Sequence, residues 1–507
     1  MKSNSTISLF NLLLFTFCFL LPVFSALLYA RGLDTLWTKT YGGTADDWAY
    51  SARQISDGGY IIVGATKSFG AGENDILIIK TDSLGDTVWT KIYGGANNDC
   101  GHSIHENSDG GFIIAGATAS SGAGGDDVFL IKTNAMGDTI WTKTYGGLDD
   151  DIGHSVQLTS DHGYIIAGGT SSFGAGEDVW LLKTDSLGDT VWTRTYGGTN
   201  SDCAYSVQQT LDGGFIIAGT TASSGAGEGD FWLIKTDHLG DTIWTRTYGG
   251  TRNDVAHAVQ QTSDDGYIVA GEGYWTMLGY EMVIIKTDKY GDTLWRHCNG
   301  SLNDDCAYSV VETENHNGYV VAGNFSYEIY IIGIDTSGFS YWSDIYGGPG
   351  HDCSYSIEKT TDGGYIIAGI TDSYGAGQYD AYLIKTAQDT FSVEENQNTT
   401  LPQVSLEVSP NPFRKQTKIR YTPAPPGGAR PGIQDAGYRM RNTSLKIYDA
   451  TGQIVREFNL KSEIANLQSA VSWNGMDGSN RKLPAGIYFV RLSASSYSDI
   501  KKVILIR

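Results

Sequence analysis

The sequence predicts an all-β chain whose main part, residues 33–390, is a seven-bladed β-propeller. Three observations predict it. First, Tyr-Gly-Gly recurs at Tyr41, Tyr93, Tyr145, Tyr196, Tyr248 and Tyr346, with a degenerate copy at Asn299, giving intervals of 52, 52, 51, 52, 51 and 47 residues. Second, each unit holds four short apolar or alternating runs, the number of strands in a propeller blade. Third, the first run, Asp34-Thr35-Leu36-Trp37-Thr38-Lys39-Thr40-Tyr41, is a fourth-strand motif with no first three strands before it, while the seventh unit ends at Leu383-Ile384-Lys385-Thr386 without a fourth. Strand exchange between the two ends closes the ring and leaves no open edge.

The elements follow in chain order. Lys2 precedes an apolar stretch from Leu9 to Val23, and Val23-Phe24-Ser25-Ala26 offers compact residues at a cleavage site, so residues 1–25 are expected to be a signal peptide. The stretch is short for a membrane anchor, and no later segment is apolar enough to span a bilayer, so no transmembrane segment is expected after cleavage. In the fourth unit the expected strands are 203–210, 215–221, 231–236 and 242–247. Asp212-Gly213-Gly214 makes a tight turn, Ser224-Gly225-Ala226-Gly227 a longer loop, and Leu239-Gly240-Asp241 the last turn. The second strand is apolar on both faces and the fourth half polar, as expected if middle strands are covered by neighbouring sheets and the last lies at the rim.

Composition narrows the function. Of the formal charge of -22, the segment after 403 carries +9, which leaves -31 for the body. An acidic body repels phosphates, so nucleic acid is not an expected partner. Of six cysteines, Cys18 leaves with the signal peptide. Cys100, Cys203, Cys306 and Cys353 fill a small apolar site occupied in other units by Trp48, Ile152 and Val255, and no obligatory disulfide is expected. Pairing of Cys298 with Cys306 stays open.

Three repeated or irregular features are candidate sites. Asp47, Asp99, Asp151, Asp202, Asp254, Asp305 and Asp352 stand before the first strand of each unit. They are expected to accept backbone N–H bonds in their own turns. The alternative is cation binding, but no Asp-x-Asp-x-Asp-Gly calcium loop occurs. Three residues later come Tyr50, His102, His154, Tyr205, His257, Tyr308 and Tyr355, expected to pack between blades on an alternating strand, with lining of a ligand channel as the alternative. No metal site and no cofactor is expected, and no catalytic residue stands out, because every plausible carboxylate is repeated around the ring. The loop Ser-x-Gly-Ala-Gly fails only in units five and six, which places Tyr274, Trp275, Met277, Tyr280, Phe325 and Tyr327 in one sector as candidates for stacking on a sugar or docking a partner. Drift in a tolerant loop is the plain alternative.

Asp57-Gly58-Gly59-Tyr60-Ile61-Ile62-Val63-Gly64, followed by 78–89, resembles the repeat grammar of quinoprotein-type (PQQ-like) propellers and of large exported bacterial proteins. That resemblance implies the fold but no cofactor, since no calcium and quinone constellation is present. After 390 the chain becomes polar and Asn/Gln/Thr-rich, a linker over 391–403. Beyond it, Ser409-Pro410-Asn411-Pro412-Phe413, 445–455, Gly486-Ile487-Tyr488-Phe489-Val490 and 501–507 resemble the C-terminal sorting domain of the type IX secretion system. Trp473-Asn474-Gly475-Met476-Asp477-Gly478 with Pro484-Ala485-Gly486 resembles flagellar hook-capping Ig-like domains. Both imply a small Ig-like β-sandwich over 404–507, interrupted by an insertion at 423–442. The first also implies the type IX secretion machinery as a partner, and a secreted or cell-surface location by way of the periplasm. The expected function is therefore a non-enzymatic binding propeller for a glycan or a protein. The alternatives are a polysaccharide hydrolase or quinoprotein-like oxidoreductase using the channel, and a structural surface-layer protein.

Overall fold

The computed structural model describes residues 33–274, 279–301, 303–388, 405–422, 443–449, 454–458, 469–478, 481–494 and 497–506. The chain divides into two compact units at 392/393. Among the described residues the first unit contains seven four-stranded antiparallel sheets, six of them running in simple chain order. In the fourth, the strands are Asp202–Gln209, Phe215–Thr221, Asp230–Thr236 and Thr242–Tyr248. The first strands of successive sheets touch one another in a closed cycle, so they surround the axis and the fourth strands form the rim. Burial follows: the second and third strands are covered almost throughout, whereas Thr242–Tyr248 alternates between exposed and half-buried positions. Apolar faces of adjacent sheets share clusters, as where Ile165 and Leu181 of one blade meet Val207, Phe215 and Ile217 of the next.

The seventh sheet is closed by the chain's opposite end. Strand Thr35–Tyr41 lies on Asp380–Thr386 in antiparallel register, Thr38 opposite Ile384 and Tyr41 opposite Ala381. Leu33 is buried beside Trp342 and Tyr382, its N–H donates to the Asp344 carboxylate, and Ala387 N–H donates to Asp34 O at 2.7 Å.

The repeat grammar also links blade to blade. The hydroxyls of Tyr41, Tyr93, Tyr145, Tyr196 and Tyr248 donate to a glycine carbonyl in the last turn of the next blade, as from Tyr41 to Gly85 at 2.7 Å and from Tyr196 to Gly240 at 2.6 Å, while that of Tyr346 donates to Leu33 O at 3.2 Å. Trp37 and Trp192 stack edge-on against Tyr60 and Phe215 of the following blade. Outer Lys or Arg to turn Asp pairs, Lys39 to Asp86 and Arg194 to Asp241 among them, join the same neighbours. They are exposed and contribute little.

The second unit is an Ig-like sandwich of two sheets. One has the order Ser405–Ser409, Thr417–Thr422, Ser469–Trp473, and the other Ile454–Phe458, Thr443–Asp449, Gly486–Ala494, Tyr497–Leu505. Its core centres on Trp473, which meets Phe413 and Tyr488. The insertion at 423–442 lies outside the described residues. No helix of the described residues is long and apolar enough to cross a membrane.

Candidate functional site

The first strand is not a simple alternating ribbon. In every blade its register against the second strand slips by one residue, and the residue at the slip is Tyr50, His102, His154, Tyr205, His257, Tyr308 or Tyr355. Each is a β-bulge residue, left out of the ladder and free to be re-aimed. Strict two-residue alternation would have put these side chains in the layers between sheets. The bulge instead brings the seven rings together in a closed circle.

Going round, the centroid separations are 5.7 Å (Tyr50 to His102), 5.0 Å (His102 to His154), 5.0 Å (His154 to Tyr205), 5.3 Å (Tyr205 to His257), 4.9 Å (His257 to Tyr308), 5.1 Å (Tyr308 to Tyr355) and 5.2 Å (Tyr355 to Tyr50). A heptagon with such sides has a radius of about 6 Å, so tilted and edge-to-face aromatic pairs line the axial channel. All seven are half-buried.

A glycine makes the bulge possible. At Gly64, Gly116, Gly168, Gly219, Gly271, Gly323 and Gly369 an added Cβ would lie 1.8–2.0 Å from the carbonyl oxygen of Trp48, Cys100, Ile152, Cys203, Val255, Cys306 or Cys353, two residues before the bulged ring. The second strand must lack a side chain there for the first strand to come this close.

Electrostatics differ along the circle. Burial works against a charge on His102, but the Cys100 thiol, the Gly153 carbonyl 3.0 Å from Nδ1, and Asp126 outweigh it and raise the imidazole to about 9. Burial, then the charges of His102 and His257, lowers His154 to about 3, so it is neutral. Burial also raises the tyrosines, Tyr205 and Tyr308 among them, and keeps their hydroxyls protonated.

The seven aspartates are almost fully buried. Asp47 accepts Gly43 N–H at 2.8 Å and the hydroxyls of Ser68, at 2.7 Å, and Thr66. Asp99 accepts Gly95 N–H, Ser120 and Thr118, and Asp352 accepts Gly348 N–H and Ser373. Asp151, Asp202 and Asp254 accept Gly147, Gly198 and Gly250 N–H. Asp305 accepts Ser301 N–H and, at 2.8 Å, Ser326 N–H. A second acidic series escaped the sequence reading. Asp75, Asp127, Asp178, Asp230 and Asp380 open the third strand, and each caps the preceding Gly-Ala-Gly loop, as Asp75 Oδ2 does from Ala71 and Gly72 N–H. In blade five, where that loop is replaced, the position is Glu281. The pairing of loop with Asp was the signal in the sequence.

In the divergent sector, Tyr274 and Tyr280 meet edge to face at 6.0 Å, and the Arg252 guanidinium lies 3.9 Å over the Tyr274 ring. Ser326 and Tyr327 form a two-residue turn with both φ positive, 53° and 71°, which is unusual for residues other than Gly, Asn or Asp. The turn leaves Tyr327 53% exposed and 5.4 Å from His351, itself 5.9 Å from Tyr379. Phe325 instead packs on Tyr330 of its own blade. Trp275 and Met277 lie outside the described residues. Two surface depressions, about 550 and 300 Å³, lie elsewhere, between blades two and three and between blades one and two.

One residue of the site had no motif to reveal it. The second-strand position filled by Ala65, Ala117, Gly169, Thr220, Asn324 and Ile370 is Glu272 in blade five. Its carboxylate lies 3.9 Å from His257 Nε2. Comparing the seven units column by column singles it out. The described cysteines Cys100, Cys203, Cys298, Cys306 and Cys353 are all free thiols.

Fold and site together define a seven-bladed β-propeller with an aromatic-lined axial channel, followed in the chain by an Ig-like domain. The FlgD Ig-like domain family matches residues 430–498. Regulatory protein FlaEY of Caulobacter vibrioides is 27% identical over 176 residues, a match that covers 29% of this chain and only 18% of that protein. Among solved structures, PorZ, a surface component of the type IX secretion system of Porphyromonas gingivalis, is 12% identical with a TM-score of 0.40, covering 92% of this chain and 60% of PorZ. The WD40 domain of Toxoplasma gondii coronin is 11% identical with a TM-score of 0.44, covering 72% and 89%. At these scores the two structures assign nothing to this chain.

Proposed function

We propose that the protein is an exported, non-enzymatic binding propeller that takes a glycan at the cell surface through the sector formed by blades five and six. The observation that carries the reading is Tyr327, an aromatic ring held out to solvent on a turn with two positive φ angles, in the same sector as the Arg252–Tyr274–Tyr280 group. Exposed aromatic rings offer flat apolar faces to the C–H side of a sugar, and backbone strain of this kind collects at ligand-contacting turns. The leader-like segment and the sorting-domain resemblance support export by Sec and then by type IX secretion, with the secretion machinery as partner of the C-terminal domain.

The test is a glycan array probed with the processed chain. Binding that falls at least tenfold in Tyr327→Ala and Tyr280→Ala, with no cleavage products from the bound glycan, is the expected result. Cleavage that stops when one carboxylate is removed would replace this reading with a hydrolase, and capture of a protein with no glycan bound would leave the sector a protein-docking face. Intact mass of the protein recovered from the cell surface and medium tests export: loss of the leader together with residues near 391–403 is expected.

A further inference from the structure

Three side chains from separate parts of the sequence converge where blade five meets blade six. His257 is the bulged ring residue of blade five, Glu272 stands across the same sheet on the second strand, and Cys306 opens the first strand of blade six. One atom of each, an imidazole nitrogen, a carboxylate oxygen and the thiol sulfur, lies within 4.8 Å of the other two. We propose that His257, Glu272 and Cys306 form a binding site for one zinc ion, or a similar borderline-soft divalent cation.

Three observations carry the proposal, and none depends on the glycan reading above. The first is chemical. One nitrogen, one oxygen and one sulfur donor make the mixed set that Zn²⁺ accepts, whereas Ca²⁺ and Mg²⁺ want oxygen alone. With the thiolate and carboxylate ionised and the imidazole neutral, the two negative charges balance the cation, which a half-buried site requires. The second is geometric. Zinc–ligand bonds of about 2.0–2.3 Å at tetrahedral angles put neighbouring ligand atoms roughly 3.3–3.8 Å apart. His257 Nε2 and Glu272 Oε1 are 3.9 Å apart, too far for a hydrogen bond, and all three ligand atoms lie within 4.8 Å of one another, so closing on an ion needs side-chain shifts of about 1 Å or less. His257 Nε2 is buried and has no hydrogen-bond partner, as is true of His105 Nε2 and His297 Nε2, but among the described residues only at His257 do a carboxylate oxygen and a thiol sulfur stand nearby.

The third comes from the repeat itself. Cysteine stands at this first-strand position in four blades and histidine at the ring position in three, yet a carboxylate beside them on the second strand occurs only as Glu272. Among the described residues this is the one group of three His, Cys, Asp or Glu ligand atoms so close together. Three protein ligands leave a fourth position for water or an added ligand, the coordination of sites that bind or polarise a substrate rather than staple a fold.

The experiment is a Co²⁺ titration of the metal-free full chain, read by its visible spectrum, followed by displacement with Zn²⁺ and metal analysis. The expected result is one equivalent of metal, with tetrahedral cobalt bands and a thiolate-to-cobalt charge-transfer band. The variants borrow what other blades carry at the same positions. Cys306→Val, after Val255, removes the charge-transfer band, while Cys203→Val in blade four leaves it. Glu272→Thr, after Thr220, and His257→Tyr, after Tyr205, weaken Co²⁺ binding at least tenfold. Zinc raises the melting temperature of the unaltered chain and not that of Glu272→Thr. Absence of a charge-transfer band at saturating Co²⁺, or equal affinity in Glu272→Thr, overturns the proposal. Should Cys306→Val fail to fold, Glu272→Gln decides: it keeps the shape, removes one charge, and must weaken binding if the site is real.

Discussion

Replacing Gly219 by Ala tests the device that aims the ring. An added Cβ would sit 1.9 Å from the Cys203 carbonyl oxygen and 2.8 Å from Ala204 Cα, both backbone atoms that no rotamer change can move. The strands must part by about 1 Å before the contact becomes tolerable, which displaces the ladder where Cys203 faces Thr220 and Ala204 faces Gly219. Weakening about two ladder hydrogen bonds costs roughly 1–3 kcal/mol, and the displaced core around Val207 and Ile217 adds roughly 1–2, for a total of roughly 2–5 kcal/mol. At about 2 cal/mol/K per residue over about 350 residues, that is a fall in melting temperature of roughly 3–7 °C. Gly213→Asn is the control. Gly213 has φ +83° but nothing within 4 Å of an added Cβ, and His162 and Asp265 occupy the same turn position at φ 66° and 65° in blades three and five. Its cost is expected to stay below about 1 kcal/mol. Differential scanning calorimetry reads both, and near-ultraviolet circular dichroism reports the ring. The reasoning is refuted if Gly219→Ala melts with the unaltered chain, or if Gly213→Asn costs as much.

Two predictions concern pH and one the closure. His154 is held neutral with its value lowered to about 3 by burial and by His102 and His257. An unfolded histidine titrates near 6.5, so the unfolded state takes up the proton first; the stability is full above about pH 6.5 and is lost as pH falls towards 3. His154→Tyr, the residue of blades one, four, six and seven, should flatten that slope in melts from pH 7 to 4. For Asp161, burial opposes ionisation, but the Thr159 hydroxyl, Lys183 and Gly163 N–H outweigh it and lower the carboxyl to about 2. Its stabilisation is present above about pH 4 and lost as pH falls towards 2, so Asp161→Asn should reduce acid sensitivity only below pH 4. Deleting residues 34–41 strips Asp380–Thr386 of its partner strand, at about 1 kcal/mol for each lost ladder bond, and should lower the melting temperature and promote association through the exposed edge, measured by light scattering. An unchanged monomeric melt would mean that the strand does not close the ring.

Much of the fold was legible because its signals are backbone requirements repeated seven times. Tyr-Gly-Gly marked the period, and Asp34–Tyr41 betrayed the strand exchange simply by lacking partners before it. The ring was harder to see. Expecting Tyr205 and its counterparts to pack between blades assumed unbroken alternation, and one bulge per strand undoes that assumption. The sign of the bulge was present in Gly64 and its six counterparts, but a strand glycine on its own does not say which backbone atom approaches it. Glu272 belongs to no local motif, and its partners lie 15 residues before it and 34 after it in the chain. Only the closed circle of blades brings Cys306 beside His257. In the loops of units five and six, loss of the Gly-Ala-Gly motif marked the sector, but not that Phe325 would turn to Tyr330 while its neighbour Tyr327 faces solvent.

The arrangement separates what must stay fixed from what can change. The bulge is set by a glycine on the second strand and by backbone pairing, and the capping aspartates hold the turns, so neither depends on which side chain occupies the bulge. The circle accordingly accepts Tyr in four blades and His in three at nearly constant spacing. Chemistry can therefore be written into the channel one blade at a time without refolding it. Blade five is where several changes coincide: a histidine in the ring, a carboxylate on the second strand, Glu281 in place of the capping Asp, and a replaced loop. Histidine in the ring also occurs in blades two and three, and blade six shares both the replaced loop and a Glu, Glu328, at the start of the third strand. Glu272 is the departure peculiar to blade five, and it is the one that turns a ring histidine and a neighbouring cysteine into a set of three ligand atoms.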